Sequence, residues 1–110
     1  MYNKFFFTVL LTLFFGLISL GQIFITELAD PNDDATARYV EIYNGGTTTV
    51  DVTGWTLRRY TNDDTVPQTK GEDLTPIGFL GPGSFAIIAV NGNAFKVAFG
   101  MEADISAGAN

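Results

Sequence analysis

The run Arg38-Tyr39-Val40-Glu41-Ile42-Tyr43, followed by Asn44-Gly45-Gly46, decides the class of fold. In an extended chain successive side chains alternate, so Val40 and Ile42 share one face while Tyr39, Glu41 and Tyr43 share the other. One face is suited to a core and one to water. Asn44-Gly45-Gly46 suits the positive φ angles of a tight turn, and Thr48, Val50 and Val52 then alternate inward along a further strand. Thr53-Gly54 reverses the chain again. Trp55 to Tyr60 reads as the next strand, with Trp55 and Leu57 on the core face and Arg58 and Tyr60 opposite. Trp55 is the expected centre of the core, because burying an indole removes more apolar area from water than any other side chain here.

Working outward, the same short β-branched and aromatic segments recur between Gly, Asn, Asp and Pro. Ile23 to Leu28 is a first strand, stopped by Asp30-Pro31-Asn32-Asp33-Asp34. Thr61 to Gly71 reads as a long exposed loop, Asp73 to Phe79 as a short edge strand and Gly81-Pro82-Gly83 as a turn. Phe85 to Val90 is a buried strand with Ile87 in the core. Asn91-Gly92-Asn93 opens a short helix near 93–99 that places Phe95, Ala98 and Phe99 on one side, and Gly100 stops it. Met101 to Asn110 has no strong period. The class is all-β, and the core is expected to contain Val40, Ile42, Trp55, Leu57, Ile87, Phe95 and Phe99. About six strands are legible, whereas an aligned sandwich needs about seven. The reading is therefore an incomplete β-sandwich over residues 22–110, with closing strands expected beyond Asn110.

The first 21 residues have a different character. Lys4 supplies a positive start, Phe5 to Leu20 is apolar apart from a few small or hydroxyl residues, and Ser19-Leu20-Gly21 offers small residues before a cut ahead of Gln22. This is a signal-peptide profile. The apolar run is shorter than the about 20 residues a bilayer-spanning helix needs. Export through an inner membrane is expected, to the cell surface or the medium, with no stable membrane insertion after processing.

Composition closes many chemistries. The 110 residues contain no cysteine and no histidine, which removes disulfides, thiolate sites, the usual general base and the commonest zinc ligand. Six basic and 12 acidic residues give a net charge of −6. An acidic surface repels phosphate backbones, so no nucleic acid is expected to bind directly.

The sharpest local pattern is Asp30, Asn32, Asp34 and Glu41, at positions 1, 3, 5 and 12 of an EF-hand-like loop. Ala35 stands where that loop needs glycine, and strands rather than helices flank it. A looser calcium site from Asp30, Asp33 and Asp34 with Glu27 is the one cofactor the sequence offers a place for; the bland alternative is a solvated Asx turn. Tyr39, Tyr43 and Tyr60 with Arg58 form a candidate outward patch for a cell-surface glycan or protein, because aromatic and arginine side chains are enriched in binding surfaces.

Taken together, these segments resemble the lamin-tail domain, an immunoglobulin-like β-sandwich of nuclear lamins and of many exported bacterial proteins. The resemblance is carried by Thr26-Glu27-Leu28, by Tyr39 to Asn44 with Gly46, and by Val50-Asp51-Val52-Thr53-Gly54-Trp55-Thr56-Leu57. Leu80-Gly81-Pro82-Gly83 and Ala94-Phe95-Lys96-Val97-Ala98-Phe99-Gly100 continue it. It implies an immunoglobulin-like fold and a non-catalytic accessory module of a larger exported protein. Two alternatives are the front end of an exported nuclease or phosphoesterase, and a calcium-stabilised carbohydrate-binding domain.

Overall fold

A computed structural model describes residues 22–67 and 71–108. The expected signal peptide at 1–21 lies outside the described residues. Among the described residues the strands are β1 (Ile23–Ala29), β2 (Tyr39–Asn44), β3 (Val50–Asp51), β4 (Thr56–Leu57), β5 (Glu72–Asp73), β6 (Phe79–Leu80), β7 (Phe85–Ala89) and β8 (Ile105–Ser106), with an α-helix, α1 (Gly92–Phe99), between the last two. A four-stranded sheet runs in the order β1-β2-β7-β8, and β3-β6 and β4-β5 form two short pairs.

The pairs make the second layer. Ile42, Ala86, Ile88 and Ile105 from the four-stranded sheet pack against Val52, Leu74 and Leu80 in one buried cluster. Val40 and Leu57 pack against this cluster partly buried, as expected of core-facing residues. On the opposite face of the same sheet, Tyr39, Ile87 and Ala89 are buried with Phe95 of α1. From Ala86 to Ala89 β7 is thus covered on both faces, which is why that stretch is apolar without alternation.

Tyr39 is the first departure from the expected pattern. Its face of β2 is not uniformly wet, because α1 lies across that end of the sheet and brings Phe95 and Phe99 edge-on to the tyrosine ring at 5.1 and 5.2 Å. Asn91 caps the helix by accepting the Ala94 amide at 3.1 Å. Gly100 ends it in the left-handed region at φ 72°, a conformation that glycine adopts without Cβ strain. Phe95 is 2% exposed, whereas Phe99 at the last turn is 42% exposed, so it belongs to the rim rather than the core.

Trp55 is the second departure. It is 46% exposed and lies outside the core, whose fully buried member in this region is Val52. The turn at Gly54 (φ 77°) resets the direction of the chain, and β4 begins only at Thr56. The two-residue alternation that would have put Trp55 beside Leu57 therefore does not reach it.

The loop after β2 is closed by a side chain rather than by glycine φ angles, since the left-handed glycines are Gly54, Gly78, Gly83 and Gly100. Asn44, completely buried, donates through Nδ2 to the Thr48 and Leu80 carbonyls, both at 2.8 Å, and accepts the Gly46 amide at 2.9 Å. Thr48 is exposed and precedes the short β3. The expected edge strand at 73–79 is instead two strands around a turn, with the Ile77 amide bonded to the Leu74 carbonyl. Of the strand expected at 55–60 only β4 forms, and Arg58 to Pro67 continue as an irregular arm; residues 68–70 of the expected loop lie outside the described residues. In the arm Asn62 and Asp63 take left-handed φ angles of 51° and 61°, and the Asp64 amide reaches the Thr61 carbonyl at 3.0 Å.

The tail holds the remaining surprise. Ile105 and Ser106 pair in parallel with Ile88 and Ala89, and parallel neighbours need a crossover, which residues 90–104 supply through α1. Asp104 extends the contact: its carboxylate accepts the Ile87 amide at 2.7 Å while its own amide donates to the Ile87 carbonyl at 2.9 Å.

Candidate functional site: the open half of the outer sheet face

The acidic loop before β2 is locally self-satisfied. Asp30 pairs with Arg38 at 2.8 Å, and Asp34 accepts both the hydroxyl and the amide of Thr36, at 2.6 and 2.9 Å. These bonds hold the Asp34 carboxyl below its ordinary value, the Thr36 hydroxyl contributing most. Glu27 lies on β1, and the Tyr39 hydroxyl faces it. Among the described residues no three acidic side chains converge as a metal site would require, so the structure does not bring Asp30, Asp33, Asp34 and Glu27 together.

The Asp-X-Thr arrangement of Asp34 recurs at Asp51-Val52-Thr53 and Asp73-Leu74-Thr75. In each case the threonine two residues on bonds back to the carboxylate and keeps its pKa low. Carboxylates used this way stiffen turns.

The aromatic patch is likewise redrawn. Tyr39 is buried beneath α1 and cannot present a ring, while Arg58 and Tyr60 lie on the irregular arm after β4 and belong to no strand of the four-stranded sheet. Tyr43 does join an exposed aromatic group, but its companions are Phe24 and Phe85. Register places Phe24 opposite Tyr43 and Tyr43 opposite Phe85, so three rings cross three neighbouring strands on the face that α1 leaves open. Tyr43 and Phe85 stack with centroids 4.5 Å apart and planes 30° from parallel. Phe24 is 49% exposed and Phe85 55%. Gly45 makes room at the end of the row, since a Cβ there would stand 3.1 Å from the Phe24 ring and 3.3 Å from the Tyr43 ring.

Next along the same face is a carboxylate pair. A bulge between Ile25 and Glu27 sets Glu27 opposite Glu41, and the Thr26 hydroxyl donates to Glu41 at 2.8 Å. The Tyr39 pKa is raised, first by burial, then by its hydrogen bond to Glu27 and the charges of Glu27 and Glu41. The outer face thus runs from a helix-covered end, through two carboxylates, to an open aromatic row. Period-two alternation hints at Phe24 and Phe85. The strand register that makes them neighbours of Tyr43 has no local signal.

Two layers of strands around an apolar core, with helix α1 on an outer face, define an immunoglobulin-like β-sandwich module. The chain belongs to the lamin tail domain family, whose model matches residues 18–110. No curated protein and no solved structure matches it. The family module is non-catalytic.

Proposed function

We propose that this chain is a non-catalytic accessory module of an exported protein, and that it holds its neighbours at the cell envelope by docking through the open outer face. The observation that carries the reading is the row Phe24-Tyr43-Phe85, in which the exposed rings of Phe24 and Phe85 flank a half-buried Tyr43 while the other end of the same face is covered. Exposed apolar groups of this kind mark interaction surfaces. The leader profile of residues 1–21 supports export.

Two measurements test the reading together. Intact mass of the chain recovered from outside the inner membrane should begin at Gln22, and envelope retention should fall in the Phe24→Ala/Phe85→Ala variant at unchanged melting temperature. A cytosolic chain still carrying Met1, or equal retention of both forms, overturns it.

A further inference from the structure

We infer that the occupant of the outer face is a basic peptide segment, one that lays an arginine side chain against the aromatic row and pairs it with the Glu27–Glu41 carboxylates. The inference rests on the accessory-module reading and specifies its partner.

Charge decides the class of partner. Like charges directly opposite on a sheet disfavour each other, yet Glu27 and Glu41 stand in register, and β1, β2 and β7 carry no lysine or arginine. Arg38 is paired with Asp30 and Lys96 with Glu102. Among the described residues a hydrogen bond to this pair comes from a neutral donor, the Thr26 hydroxyl on Glu41.

The aromatic row supplies the complementary half. A guanidinium is planar, stacks on ring faces and binds carboxylates through paired N–H groups. Phe85 stacks on Tyr43 with one face only, and β8 pairs with Ile88 and Ala89 but not with Phe85. The other side of the Phe85 ring is therefore not covered by a neighbouring strand. A neutral glycan would use the rings but leave the carboxylate pair uncompensated. A peptide with arginine uses both, and its binding weakens with salt.

The test is titration of the full 15N-labelled chain with tetra-arginine amide at about 20 and about 200 mM salt, with cellohexaose as the neutral comparison. Saturable amide shifts confined to residues 24–27, 41–43 and 85–87 are expected, weakening about 5-fold or more at the higher salt. Phe85→Ala and Glu41→Gln should each weaken binding about 5-fold. Glu41→Gln keeps the acceptor for Thr26 and so guards against loss of fold. Shifts spread over the Asp30–Asp34 and Asn62–Asp64 loops, or no saturable shift, overturn the inference. If cellohexaose moves the same amides independently of salt, the basic partner is wrong but the module reading stands. Equal envelope retention of the Phe24→Ala/Phe85→Ala variant removes the module reading itself.

Discussion

Replacing Asn44 by alanine tests whether one buried amide holds the two layers together. Its Nδ2 bridges the Thr48 and Leu80 carbonyls and its Oδ1 accepts the Gly46 amide, so the substitution leaves three backbone groups without these partners. A buried unsatisfied group costs about 1–3 kcal/mol. The Leu80 carbonyl bond is buried, whereas the bonds to Thr48 and Gly46 are part-buried, and water recovers some of their loss. The net cost is expected to be about 3 kcal/mol, a large share of the about 5–10 kcal/mol that stabilises a small domain. Urea unfolding followed by circular dichroism reads it directly. With a slope near 1 kcal/mol/M, the midpoint should fall by about 3 M. Asn44→Asp should be at least as damaging at neutral pH, because it points a charged oxygen at two carbonyls. A midpoint change in Asn44→Ala of less than about 1 M at unchanged slope would refute the reasoning.

Phe95→Ala should cost about 3–5 kcal/mol by opening a cavity between α1 and β7, whereas Trp55→Ala should cost no more than about 1.5 kcal/mol; chemical denaturation of both variants checks the order. Asp34, Asp51 and Asp73 have folded pKa values below the ordinary 3.8. Their contribution is therefore present above about pH 3.8 and lost as the pH falls through the folded values; melting temperatures between about pH 5 and pH 2 should fall less steeply in the triple Asp→Asn variant. Tyr39 has a folded pKa above 10.0, so its contribution is intact below that pH and lost as the pH rises through the higher folded value. Tyr39→Phe should flatten the alkaline fall in stability, read by circular dichroism.

What could be read from the chain alone was local. Alternation in Tyr39 to Tyr43 marks a strand, Asn91 and Gly100 delimit a helix, and Gly81-Pro82-Gly83 marks a turn, because caps, turns and side-chain parity act over a few residues. The all-β class and the burial of Ile42, Ile87 and Phe95 follow from the same signals, and ordered segments carried the family resemblance.

Tertiary structure decided what depends on partners distant in sequence. Tyr39 became buried because a helix about 55 residues later folds over it, which no alternation rule contains. Trp55 is left at the surface because β4 starts one residue beyond it. Ile105 and Ser106 form a strand only because β7 offers a parallel edge, and two residues carry no period of their own. The candidate site follows the same logic: Phe24, Tyr43 and Phe85 are about 20 and about 40 residues apart, and register alone makes them one surface.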